Sequence, residues 1–127
     1  MIRPVTCPAT INYFANHPDN NDGLLLDMKG AINPKTAFYM GEHGGFAFEW
    51  TAPMTFEVHA MVARAGRGRW ALDGLNYALW DMRGLANHFW CRIHPDAPHI
   101  ALFARMAGFR LEPTMALKPW RVYSRRT

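Results

Sequence analysis

The sequence predicts an α/β fold in which short strands and amphipathic helices follow one another along a single domain of 127 residues. Three observations carry this. Half of the residues are hydrophobic and only 19% are charged, the balance of a chain that packs one core. Residues 55–62 alternate, with Phe56, Val58, Ala60 and Val62 on one face and Glu57, His59 and Met61 on the other. Residues 70–82 change to a helical period: Leu72, Leu75, Leu79 and Met82 form one stripe.

The elements follow in order. Residues 2–5 read as a short strand, and residues 10–16 as a helix with Ile11, Phe14 and Ala15 on one face. Residues 17–23 are nearly all turn formers and break the chain; Leu24–Leu26 is too short to classify, and residues 29–34 read as loop. Residues 36–40 and 46–50 form the arms of a hairpin about a glycine-rich turn, and residues 52–54 turn the chain into the alternating strand 55–62. A Gly/Arg loop leads to the helix at 70–82. There Trp70, Tyr77 and Trp80 make the remaining faces apolar and predict a well-buried helix. Residues 88–94 read as a strand and 97–107 as a helix burying Ile100, Phe103 and Ala107, with Gly108 ending it. Residues 109–111 and 118–123 close the chain as strands. The order is β-α-βββ-α-β-α-ββ.

Composition also excludes disorder, a coiled coil and collagen. No apolar run approaches the ~20 residues of a membrane span, and residues 1–5 lack the apolar block of a secretory signal, so no membrane partner is expected. Cys7 and Cys91 form no disulfide framework and suit a reducing compartment, so a cytoplasmic protein is expected. A net charge of +4 suits a phosphate-bearing ligand, a nucleic acid or an acidic protein face alike.

The strand–loop–helix unit at residues 55–82 is the most informative stretch. Gly66 and Gly68 let backbone N–H groups converge on an anion at a helix N-terminus, and Arg64, Arg67 and Arg69 add charges suited to phosphate oxygens. The alternative is an exposed turn whose arginines are only solvated. The loop matches neither the P-loop nor the dinucleotide fingerprint, and a single Gly/Arg turn is a poor nucleic-acid module, so nucleic acid is not expected as a partner. His88, Cys91 and His94 have a spacing that suggests a metal, but on a strand Cys91 points away from both histidines, and no metal site is expected.

Strand, Gly66-Arg67-Gly68, helix, strand, second helix and Ala107-Gly108-Phe109 resemble the GNAT superfamily of acetyl-CoA-dependent N-acetyltransferases. More narrowly, Asn16-His17-Pro18, the run from Gly41 to Phe46 and Phe56-Glu57-Val58-His59 resemble small GNAT-like proteins of tailed phages. The resemblance implies a mixed central sheet, flanked by helices, whose parallel strands 55–62 and 88–94 splay apart. Acetyl-CoA would enter that gap, its pyrophosphate on the loop from Arg64 to Arg69 and its pantetheine beside Met61 and Val62. Three positions depart from the pattern. Trp70 stands where a small residue is usual; its indole is expected either to occupy the pyrophosphate position or to turn into the core. Ala104 replaces the tyrosine often used as general acid, and Ala97, beside Asp96, replaces a frequent asparagine.

A base for the amine must then come from elsewhere. Glu57 and His59 share one strand face, about 7 Å apart at Cβ, so one water could join them to an incoming ammonium. The competing expectation is that Glu57 forms a salt bridge across the sheet and His59 bonds locally. Two functions follow. The first is an N-acetyltransferase that moves the acetyl group directly to a small or protein amine. The second is a degenerate, cofactor-free phage structural protein whose partners are other virion proteins, with Trp120–Tyr123 as a docking strand and the host cytoplasm or virion as its location.

Overall fold

The computed structural model of the protein describes residues 1–15 and 33–126. The expected turn at 17–23 and Leu24–Leu26 lie outside the described residues, as does Asn16-His17-Pro18. Within them the elements are β1 (Arg3–Val5), α1 (Pro8–Ala15), β2 (Thr36–Gly41), β3 (Gly44–Ala52), β4 (Thr55–Val62), α2 (Arg69–Asp81), β5 (His88–Ile93), α3 (Pro98–Met106), β6 (Arg110–Leu117) and β7 (Trp120–Arg126). Their types and order are those read from the sequence.

Seven strands form one mixed sheet in the order β1-β2-β3-β4-β5-β7-β6. Every neighbouring pair is antiparallel except β4–β5. That parallel pair shares only three register positions, Thr55↔His88, Phe56↔Phe89 and Glu57↔Trp90. β4 stays paired with β3 to Val62, and β5 stays paired with β7 to Ile93. Beyond Glu57 and Trp90 the two central strands therefore part, each still held by its outer neighbour.

Both faces of the sheet are covered. On one, α2 and α3 pack Ala71, Leu75, Ala78, Leu79, Ala104 and Ala107 over Phe46, Phe48, Phe89 and Tyr123. Aromatic contacts bind this layer: Phe48 meets Phe89 edge-on at 5.8 Å, and Phe46 stacks on Phe103 at 6.4 Å. On the other, Ile11 of α1 joins Phe38, Met40 and Ala47 in a smaller core, with Met61 packed against it. The alternation of β4 is thus used twice. Phe56, Val58 and Val62 pack on the larger core and Met61 on the smaller.

Three expectations need correction. α2 buries one face, not all: Trp80 is 58% exposed and lies under the Arg83 guanidinium at 3.9 Å, a cation–π contact that gives an apolar ring a place at the surface. In α3 the buried stripe is Ala104 and Ala107, while Ile100 is 46% exposed. Its end of the helix lies toward the C-terminal end of β5, where β4 has already parted from the sheet beneath. Trp120–Tyr123 is not a docking arm either. It belongs to β7, which is hydrogen-bonded on both sides, by β5 and β6.

The hairpin β2–β3 brings its turn, Glu42 and His43, toward the end of β4, and two glycines make this possible. Gly44 has φ +91°, and a Cβ there would overlap the Met61 carbonyl; one on Gly45 would overlap the Tyr39 carbonyl. Gly44→Ala is expected to lower the unfolding free energy by at least about 2 kcal/mol, from overpacking together with left-handed strain. Urea denaturation measures it, and an unchanged midpoint would contradict the close approach.

Candidate functional site

The loop after β4 runs toward the open end of the gap. Ala63 is buried and donates its N–H to the His43 carbonyl at 2.9 Å. Residues Arg64–Gly66 then make one 3-10 turn, and Gly68 caps α2 with φ +96°, a backbone conformation suited to glycine. The first α-helical bond runs from the Leu72 N–H to the Gly68 carbonyl. The amides of Arg69, Trp70 and Ala71 precede it and find no acceptor inside the helix. Among the described residues no side chain caps this end, and no acid stands in its first turn, so its positive dipole is uncompensated by the helix's own residues. A Cβ built on Gly68 meets nothing within 4 Å, so the space before these amides is open.

Trp70 does not fill that space. Its indole turns toward the hairpin, where Nε1 donates to Glu42 Oε1 at 3.2 Å and the ring meets the His43 imidazole edge-on at 5.0 Å. Gly66 lets the ring lie close: a Cβ there would overlap His43 and come within 2.8 Å of Trp70 Cε3. Gly66 thus seats the helix start, while Gly68 faces the opening. Of the two expectations for Trp70, crowding of the pyrophosphate position does not hold; the ring turns inward, partly buried against the larger core and the hairpin turn. Arg64 and Arg67 are exposed and make no ion pair among the described residues; Arg69 is also exposed and reaches Asp73, one turn on, at 3.5 Å. Met61 and Val62 lie past the last β4–β5 register pair, at the parted end of β4.

Glu57 and His59 stand together, as the strand period requires, and bring two further groups. Glu57 is 3% exposed and accepts two bonds from Arg92, Nε to Oε2 at 2.7 Å and Nη2 to Oε1 at 3.0 Å. This is the expected cross-sheet salt bridge, in bidentate form. The bond holds the Arg92 pKa above its ordinary value. His59 Nε2 lies 3.2 Å from Glu49 Oε1 and 3.7 Å from Glu57 Oε1, with its side chain 45% exposed. Glu49 sits directly opposite Glu57 in the β3–β4 ladder. Two like charges so paired would repel; Arg92 offsets the Glu57 charge, and Glu49 is half-exposed to solvent and hydrogen-bonded to His59.

Sequence reasoning missed Glu49 and Arg92. The register that pairs Glu49 with Glu57 depends on an irregularity between Trp50 and Ala52, which shifts the ladder by one residue. A regular hairpin counted from the turn would set Trp50 opposite Glu57. One donor atom from each of Glu49, Glu57 and His59 lies within 4.8 Å of the others, a set able to hold a cation. With both Glu57 oxygens on Arg92, a metal there would compete with a guanidinium.

Other candidates fall elsewhere. Ala104 is buried in the larger core and offers no acid. Cys91 faces that core as well, and burial pushes its thiol up to about 12, so it stays protonated and inert as a nucleophile at neutral pH. His88 lies on the opposite side of β5 from Cys91, with Nε2 buried and without a partner among the described residues, and burial lowers its pKa. His94, just past β5, is engaged with Asp96 at 3.5 Å.

No family profile and no curated protein sequence matches this chain. Solved structures do. An acetyltransferase from Streptococcus agalactiae aligns with TM-score 0.70 and 13% identity over 100% of this chain and 98% of its own. A Bacillus subtilis acetyltransferase solved in complex with CoA aligns with TM-score 0.68 and 11% identity, over 99% and 97%. A chimera of the Vibrio cholerae spermidine N-acetyltransferase SpeG and hSSAT aligns with TM-score 0.67 and 12% identity, over 99% and 94%. The chain has the fold of the GNAT acetyltransferases, with its mixed sheet and flanking helices.

Arg92→Met would leave the Glu57 carboxylate buried without its cation. It is expected to cost about 2–3 kcal/mol, less than a fully buried pair because Arg92 is itself partly exposed. The double substitution Glu57→Gln with Arg92→Met should recover most of this in chemical denaturation. Strictly additive losses would contradict the pairing.

Proposed function

We propose that the chain binds acetyl-CoA in the gap between β4 and β5 and transfers the acetyl group directly to an amine. The observation that carries this reading is the three-residue β4–β5 ladder opening toward the uncapped N-terminus of α2. The space between the parted strands suits an extended pantetheine, whose amides can bond the backbone of β4 beside Met61 and Val62. The amides of Arg69, Trp70 and Ala71, presented by Gly68, suit a pyrophosphate. Arg64 and Arg67 are free to add charge-assisted bonds, and Arg69 can join them at the loss of a weak surface pair.

Acetyl-CoA supplies an activated acyl group on a thiol leaving group; the chain supplies position and proton transfer. His59 is the stronger candidate for the base, since its side chain is half-exposed and Nε2–H bonded to Glu49 leaves Nδ1 to take the proton, with Glu49 holding the imidazolium that forms. Glu49, half-exposed beside His59, supplies the negative charge that draws an ammonium in, while Glu57, locked to Arg92, helps to orient His59. The amine attacks the thioester carbon, and backbone N–H groups at the parted end of β4 stabilise the oxygen that gains charge. α3 offers no acid at Ala104, so the departing thiolate takes its proton from water. A small or protein amine is the acceptor class, and the likeness to a spermidine N-acetyltransferase supports an amine over an alcohol.

The rival is a cofactor-free structural protein of the same fold, for which Ala104 is the one favouring feature. A virion setting has no support in the structural likenesses. Calorimetry separates the two: acetyl-CoA is expected to bind, and Gly68→Val to weaken binding at least ten-fold by placing a branched side chain before the α2 amides. No heat and no thermal shift at millimolar acetyl-CoA would favour the structural rival. With an amine substrate in hand, His59→Ala should lower kcat by about 10²-fold or more with acetyl-CoA affinity unchanged. Full turnover in His59→Ala, with an unaltered pH–rate profile, would remove His59 as the base.

A further inference from the structure

We propose that the groove between α3 and β7 is a separate binding site for a small organic anion, held by Arg105, Arg121 and Tyr123. A cavity of about 190 Å³ opens there, walled by Ala101, Leu102 and Arg105 of α3 and by Ile93 of β5 with Arg121 and Tyr123 of β7. Its lining takes no residue from β4, from the loop at 63–68 or from α2. It lies on the β7 side of β5, whereas the gap lies on the β4 side.

Three features point to an anion. Tyr123 is only 3% exposed and lines the cavity, yet its hydroxyl meets no hydrogen-bond partner among the described residues. The hydroxyl is therefore open to the cavity, where an anionic oxygen can accept its hydrogen. Arg105 and Arg121 line the same cavity, and neither guanidinium pairs with a carboxylate among the described residues. Asp96, which lies between the lining residues Pro95 and Ala97 in sequence, is itself outside the lining and engaged with His94. Two unpaired guanidiniums and a phenol can grip a carboxylate or phosphate through charge-assisted bonds.

The rest of the lining sets the remainder of the ligand. Ile93, Ala101 and Leu102 form an apolar wall, so the anionic head carries a short hydrocarbon part. The volume far exceeds the room one water needs and falls below the ~300 Å³ at which sites for drug-sized ligands begin. The class is a short-chain carboxylate or a small monophosphate ester.

Titration of the ¹⁵N-labelled protein with butyrate, butyl phosphate and butanol tests this by NMR. Saturable shifts are expected at the amides of Ala101, Leu102 and Tyr123 with one or both anions at millimolar concentration and not with butanol. The tighter anion identifies the head group. Arg105→Gln and Arg121→Gln should each weaken binding roughly ten-fold or more, as expected for a lost bond to a charged group. Tyr123→Phe keeps the ring and should weaken it several-fold. No saturable shift with either anion, equal binding of butanol, or shifts confined to Arg69–Ala71 would overturn the proposal. The titration contains no acetyl-CoA, so its failure would leave the acyl-transfer reading standing.

Discussion

Between Glu57 and Arg92, two strands of one sheet stop sharing a backbone ladder and are held by side chains instead. The last β4–β5 register pair is Glu57 with Trp90, and Arg92 stands two residues further along β5. Its guanidinium reaches across to grip both oxygens of Glu57. A buried carboxylate needs such a partner, and a sheet that opens needs a fixed point from which to open. One ion pair meets both needs. It also sets the charge of the site, since it neutralises the member of the Glu49–Glu57 pair that has almost no water.

The surroundings keep the opening in place. β4 remains bonded to β3 along its length and β5 to β7, so the parted ends are backed by paired sheet rather than left as frayed edges. The glycines of the β2–β3 hairpin let its turn approach the end of β4, and that turn holds the Trp70 indole through Glu42 and His43. Trp70 therefore anchors the first turn of α2 from the side. With the ring drawn aside and Gly68 bare, the helix amides face open space. A residue that seems to obstruct the loop in the sequence instead fixes the loop's orientation.

Much of this was legible in the sequence, for physical reasons. Period-2 alternation at residues 55–62 and the helical stripe of Leu75 and Leu79 are set by side-chain burial, which local spacing reports directly. The element order and the placement of Glu57 and His59 on one face followed from it. Tertiary choices were not legible. The one-residue shift between Trp50 and Ala52 brings Glu49 to Glu57, and no turn signal marks it. Arg92 becomes a partner only once β4 and β5 are known to part. Ile100 fits the apolar stripe of α3, but the sheet beneath it has divided, so spacing alone misjudged its burial. Trp80 was misjudged because the Arg83 guanidinium gives it a favourable surface contact.

The central claim is that the parted strands and the N-terminus of α2 form one acyl-CoA site. Hydrogen–deuterium exchange with and without CoA tests it most directly, because the claim concerns named backbone amides. CoA is predicted to slow exchange in β4 beyond Glu57 and at Arg69, Trp70 and Ala71, with little change in β1, β2 or β6. Unchanged exchange at saturating CoA, or protection confined to the α3–β7 groove, would contradict the account.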